Sequence, residues 1–313
     1  MTDFAAVDLP ALLAIVLALV ACATLGNWLV LRRESLAADA TAHAVLPGLV
    51  GGFLVTGTRS PWAMLAGAAI AGLAAILLAR FVARATRTGS AVALGVVFTA
   101  FFALGVALLE TQGARQVDLD PDCVLFGSLE TLFVAPPERS LEAWMQSWIA
   151  ALPRPIWTLA GAAGIAVTTS WLLAKELAMR AFDPSFALAS GAAPRWTDDV
   201  RIVATTLAIV ASFEAVGSVL VIALVACPAL AAAPFARSVR GQIALSLAMA
   251  TPIACGAYLA AAHAPAWLGT THALNASGTV ACALAAGVPL AHLLYRVFRR
   301  GARPSPALNR RPA

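Results

Sequence analysis

Asp39 and His43 stand four residues apart in SLAADATAHAVLPG, and on a helix that spacing puts a carboxylate and an imidazole on one face. Imidazole suits borderline divalent ions and carboxylate suits harder ones such as manganese, so together they fit a transition-metal ion. The same two residues also fit a plainer role, with Asp39 capping the helix and His43 packed against its neighbours. Pro47 and Gly48 follow closely and predict a break in the helix beside the pair, an arrangement by which transport sites expose backbone carbonyls. Glu214, in SFEAVGSVLV, is the second acid of interest. It is expected either to line an outer gate or to sit solvated at a turn with Gly217. Pro228, in VACPALAAAPF, is expected to kink the segment that holds it.

Composition determines the elements that must hold these side chains. The 313-residue chain is 61% hydrophobic and 12% charged, against about 25% charged in soluble proteins, so most of its area must face something other than water. Apolar stretches run 9–31, 40–58, 62–79, 91–109, 156–174, 202–236, 243–262 and 279–298. A helix needs about 20 such residues to cross a hydrocarbon core of about 30 Å. The runs are continuous in Ala, Leu, Val and Gly, whereas the strands of a barrel alternate, so helices are expected. A charge at the centre of a spanning helix costs about 2.5–3.5 kcal/mol, which is why the few ionisable groups in these stretches carry the functional question. The expectation is an all-α, polytopic membrane protein with one transmembrane domain over residues 1–313.

Orientation follows from the arginines, because basic residues accumulate on the cytoplasmic side. Of the 21 Lys and Arg, only Arg59, Arg115, Arg139 and Arg154 fall outside in the arrangement this rule selects. The amino terminus is then outside, and the carboxy terminus is inside with a basic tail, 299–313, expected to be disordered. Both flanks of 202–236 are inside, so this stretch must enter and return as a hairpin turning near Glu214 and Gly217. At about 1.5 Å per residue it makes roughly 52 Å of helix, less than two crossings of about 30 Å, so one arm must be short. Nine crossings are expected, or eight if the hairpin only dips into the bilayer. The opening MTDFAAVD lacks the basic flank of a cleavable signal, so the first helix is expected to remain.

Several other features have bland readings. The outer loop 110–155 is acidic and would attract a cation, or it is ordinary solvated loop. Cys22, Cys227, Cys255 and Cys282 lie in apolar runs without CxxC spacing and read as small packing residues, with Cys123 alone in a loop. His263 and His272 read as surface side chains, His292 as packing or interfacial. The net charge of +5 is distributed by membrane side, which argues against a nucleic-acid partner. No Walker motif, GxGxxG, Ser/His/Asp set, HExxH or paired carboxylates occur in the spans, so no enzyme activity is expected and the energy source must lie in another chain or an ion gradient. The inner segment KELAMRAFDPSFALASGAAPRW reads as a short helix set by Asp183 and Pro184 and stopped at Gly191. Such a helix docks a soluble partner or lies flat on the bilayer.

Four stretches together resemble the membrane subunits of manganese/zinc/iron ABC importers: LVLRRESLAADATAHAVLPGLVGGFLV (29–55), DLDPDCVLFGSLE (118–130), KELAMRAFDPSFALASGA (175–192) and SFEAVGSVLVIALVACPALAAA (212–233). The wording is closest to the manganese-type branch. The resemblance implies a permease that pairs with itself or a sister subunit, binds two cytoplasmic ATPase subunits and receives metal from an extracytoplasmic binding protein, with no permanently bound cofactor. It implies that Asp39 and His43, matching the family's D-x-x-x-H, belong to the metal pathway. It also implies that Phe182, Asp183, Pro184, Ala187 and Gly191 form an ATPase-coupling segment within 175–201. Ala38 stands where the family often has glycine, and Glu34 where it often has a neutral residue. The alternative from a different class is a gradient-driven secondary metal transporter or channel without an ATPase.

Overall fold

A computed structural model describes residues 4–58, 60–110, 127, 129, 132, 151–267 and 274–301. Among the described residues a π-helical turn at Phe4–Asp8 is followed by ten helices: α1 Leu9–Leu31, α2 Leu36–Thr56, α3 Pro61–Thr86, α4 Ser90–Leu109, α5 Arg154–Leu172, α6 Ala174–Phe182, α7 Pro184–Ala189, α8 Trp196–Ala232, α9 Val239–Trp267 and α10 Ala276–Gly301. No strand occurs among the described residues. Prolines begin α1, α3, α5 and α7, where the missing N–H is one the first turn leaves unpaired anyway. Among the described residues seven helices are long and apolar enough to cross a membrane, and the pair α5–α6, bent by 71°, makes eight if taken as one span.

The expected hairpin is present inside α8. Cys22 Sγ lies 3.3 Å from Ser212 Oγ, and the backbone of Val225 passes so close to Gly26 that a Cβ there would fall 2.0 Å from the Val225 carbonyl oxygen. Cys22 and Gly26 are one turn apart, about 6 Å, whereas a straight helix would carry Val225 about 20 Å beyond Ser212. The chain therefore doubles back, and it does so at Gly217, whose φ of 76° and ψ of 168° leave the helical region. That conformation is open in practice only to glycine. The returning arm, 218–232, is about 22 Å long and is the short one. It stays helical through the buried Pro228, so the chain reverses at Gly217 and not at that proline. This is the hairpin behind the choice between eight and nine crossings.

α1 and α8 form the centre, surrounded by α5, α9 and α10 on one side and by α2 and α3 on the other. Lipid is as apolar as leucine, so packing and polar contacts hold helices together rather than water exclusion. The core is accordingly built from small side chains such as Ala11, Ala14, Ala18, Ala208 and Ala215. Short polar links tie it: Asn27 Nδ2 donates to Ser246 Oγ at 2.9 Å and Trp28 Nε1 to Ser170 Oγ at 3.0 Å, each worth about 0.6 kcal/mol. Ile70, Phe81, Val96, Trp171, Leu293 and Phe298 are exposed on the outer faces, which is where a lipid-facing protein places its large apolar groups.

α2 runs unbroken through Pro47 and Gly48, so the break expected there does not form. Gly48 serves packing instead. A Cβ on it would lie 2.2 Å from the Gly67 carbonyl oxygen, and one on Gly67 would lie 2.2 Å from that of Gly48. The missing side chains let α2 and α3 touch backbone to backbone, the small-residue contact by which membrane helices associate.

Candidate functional site

α2 carries Asp39 in its first turn, where the positive end of the helix dipole favours a carboxylate. Asp39 does not cap the helix; the capping position is Ser35. One turn on, His43 Nε2 lies 3.3 Å from Asp39 Oδ1, and the two side chains are 26% and 31% exposed, His43 first. The imidazole is held between aromatic rings of α4, with Phe98 at 5.4 Å tilted by 36° and Phe102 at 5.6 Å edge-on. Pro47 has no N–H to return to the His43 carbonyl, so that oxygen lacks its usual helical donor although the helix continues. The face therefore offers a carboxylate, an imidazole and an underused carbonyl, all of them donors for a divalent cation. Among the described residues no group of three or more His, Cys, Asp or Glu gathers.

Glu214 does not join this pair. It sits at the α8 turn, 2.6 Å from Arg154 Nη2, and the Arg154 guanidinium lies 5.0 Å from the centre of the Trp62 ring. The solvated-turn reading thus gives way to an ion pair linking the start of α5 to the α8 reversal, beside the α3 amino terminus. Gly127 packs on the same turn, its would-be Cβ 2.4 Å from the Gly217 nitrogen. The acidic residues of 118–122, Cys123 and His272 lie outside the described residues.

The inner segment is two helices, not one. α6 turns from α5 by 71°, and α7 follows with Asp183 as its cap, accepting from the Phe186 N–H at 2.9 Å and from the Ser185 hydroxyl at 2.6 Å. These bonds, the backbone one foremost, hold the Asp183 carboxyl below its ordinary value. Pro184 occupies the first turn and Gly191 closes the segment with φ 64°. Phe182, Phe186 and Leu188 are 68%, 57% and 50% exposed. Ala187 is fully buried, so it seats α7 rather than presenting a surface as expected.

A charged cluster at the same end escaped sequence reasoning. Asp198 is 2.6 Å from Arg32 and 2.9 Å from Arg180, Glu34 is 2.8 Å from Arg201, and Arg32 reaches Glu34 at 3.3 Å. These pairs join α6, the α1–α2 link and the start of α8. The sequence signal was there in ArgArg at 32–33 and AspAsp at 198–199, in a chain where charge is scarce. At the other end Asp8, 5% exposed, meets His263 Nε2 at 3.3 Å and Tyr258 Oη at 3.4 Å; His263, 43% exposed, is the surface side chain expected, with Asp8 as its partner. His292 reaches the Leu230 carbonyl at 3.2 Å, in keeping with its packing role.

A bundle with seven or eight helices long and apolar enough to span a bilayer among the described residues is that of a polytopic membrane protein. The chain belongs to the ABC 3 transport family, whose model matches residues 6–138 and 140–295. It is 37% identical over 218 residues to the zinc transport system membrane protein TroD of Treponema pallidum, a match covering 69% of this chain and 56% of that one. It is 38% identical to the manganese transport system membrane protein MntD of Bacillus subtilis, covering 68% of this chain and 69% of MntD. With TroC of Treponema pallidum, a zinc transport system membrane protein, the identity is 30% over 88% of this chain and 87% of TroC. In fold it is similar to PsaBC from Streptococcus pneumoniae in complex with Fab, with a TM-score of 0.69, 22% identity and 94% of each chain covered. Family membership leaves the gradient-driven alternative without support.

Proposed function

We propose that this chain is the membrane permease of an ABC importer that passes manganese, zinc or iron inward along a path containing Asp39 and His43. The observation that carries the metal path is the 3.3 Å approach of the His43 imidazole to the Asp39 carboxylate on α2. An acid and an imidazole so placed can share one cation, with His43 held in orientation by Phe98 and Phe102. The relatives named for zinc and manganese transport support a divalent transition-metal cargo. Two side-chain ligands from one copy, even with the His43 carbonyl added, are fewer than the roughly four to six such ions take, which favours a second permease subunit, identical or sister, across the path. The cargo is a passenger; no bound cofactor takes part.

Partner chains complete the machine. An extracytoplasmic metal-binding protein delivers the ion, and cytoplasmic ATPase subunits supply the work by pressing on α6 and α7. The exposed Phe182, Phe186 and Leu188 provide an apolar surface of the kind that marks protein contacts. In this reading the amino terminus faces outward and the carboxy terminus the cytoplasm. Glu214, paired with Arg154, stands at the outer turn as a gate position.

Uptake of radioactive manganese and zinc by cells expressing the whole transporter tests this. Asp39→Asn and His43→Gln are expected to lower uptake at least tenfold with unchanged permease in the membrane. Wild-type uptake in both variants would remove the pair from the path.

A further inference from the structure

We infer that a cavity at the inner end, between α1, α2, α3, α4 and α8, binds the phosphate of an anionic phospholipid. The cavity has a volume of about 230 Å³, far above the roughly 10–15 Å³ that admits a single water, so it is no packing defect. Arg33, Arg80, Arg84 and Arg201 line it, and Glu34 is the one acid among its lining residues. Two of the arginines are engaged, Arg201 with Glu34 at 2.8 Å and Arg80 with Asp199 at 3.5 Å. Arg33 and Arg84 form no ion pair among the described residues. Arg201, 1% exposed, adds its charge from within the wall rather than as a contact surface.

The sign of this lining excludes the cargo. A divalent cation entering among four guanidinium groups meets repulsion at close range in a medium that screens poorly, so the cavity is not the continuation of the metal path from His43. An anion is what the charges admit. Ser90 and Ala91, in the first turn of α4, also line it and bring the positive end of that helix. The rest of the wall is apolar, including Leu29, Ile76 and Leu94. A free phosphate ion could meet only the arginines and would leave the apolar wall uncovered, whereas a lipid places its phosphate among the arginines and its chains against the leucines. Phe81 and Val92, next in sequence to Arg80 and Ala91, are 66% and 60% exposed, so both neighbouring helices present lipid-facing surface. Basic pockets between helices at the cytoplasmic side suit such headgroups. This inference rests on the chain crossing a membrane and is independent of the cargo.

The test is competition for the purified full-length permease in mixed micelles of equimolar phosphatidylglycerol and phosphatidylcholine, with retained lipid read by native mass spectrometry. Phosphatidylglycerol is expected to be retained at least tenfold over phosphatidylcholine. The double variant Arg33→Gln, Arg84→Gln should lower that preference roughly tenfold or more, at about a factor of five per arginine, and Arg33→Lys with Arg84→Lys should restore most of it. Arg237→Gln with Arg240→Gln, a pair outside the cavity, should leave it unchanged. Equal retention of the two lipids by the wild type overturns the proposal without any variant having to fold. So does an equal loss in the Arg237, Arg240 control, which would mean diffuse surface charge, or release of phosphatidylglycerol by millimolar inorganic phosphate, which would mean a site for the free anion.

Discussion

Single side chains here act through what they hold in place. Asp183 shows this most simply: its carboxylate caps α7 by accepting from Phe186 and Ser185, and α7 carries the exposed Phe186 and Leu188. Replacing it with alanine removes the acceptor and frays the first turn. Hydrogen exchange at the amides of Phe186 and Ala187 is expected to quicken in Asp183→Ala and to stay slow in Asp183→Asn. Acid should imitate the alanine. Because the folded carboxyl titrates below its ordinary value of 3.8, the cap is fully present above that value and is lost as pH falls through the lower, folded one. Exchange in α7, corrected for its intrinsic pH dependence, should be flat from neutrality to about pH 5 and rise only below 3.8. Legibility varied at this scale. Asp183, Pro184 and Gly191 declare a capped short helix in order along the chain, while Glu34, where the family often has a neutral residue, is explained only by Arg201 beside it.

At the scale of the helix, glycine decides two matters in opposite ways. Gly217 turns the chain because no other residue takes φ 76° with ψ 168° at ease, and Gly48 lets two helices touch without turning anything. Gly217→Ala is expected to lose about 1–3 kcal/mol and to melt several degrees lower in detergent. Gly48→Val should melt lower as well, by forcing α2 from α3. Gly164→Ala, where nothing lies within 4 Å of the added carbon, should match the wild type and serves as the reference. If Gly217→Ala melted with that reference, the reversal would not depend on backbone freedom. Pro47 and Gly48 side by side suggested a break, and sequence could not tell that the neighbour across the contact, Gly67, would be equally bare.

For the molecule as a whole, the ion pairs sort by end. Arg32, Arg80, Arg180 and Arg201 meet Asp198, Asp199 and Glu34 at one end, and Arg154–Glu214 and His263–Asp8 lie at the other. Basic residues mark the cytoplasmic face, so cysteines introduced at the two ends should differ in reach. In a background cleared of native cysteines, Asn275→Cys is expected to react with an impermeant maleimide on intact cells, and Ser238→Cys only after the membrane is opened. The reverse pattern would invert the orientation. The Asp198 cluster ties the segment proposed to feel the ATPase to the root of α2, five residues before Asp39, which gives the two ends of the proposed transport cycle a mechanical link.

The sequence by itself determined that this chain crosses a membrane, where its long apolar helices lie, that the 202–236 stretch reverses near Gly217, and that Asp39 and His43 share a face. Each of these is local: apolar length, the special freedom of glycine and a spacing of four act within a few turns of one helix. Only the tertiary structure decided that Glu214 pairs with Arg154, that Gly48 packs instead of breaking, and that arginines from the α1–α2 link, α3 and α8 line one cavity. Those outcomes depend on which helices become neighbours. In lipid that choice is made by close packing and by a few polar contacts between residues far apart in the chain, and no spacing along the sequence encodes it.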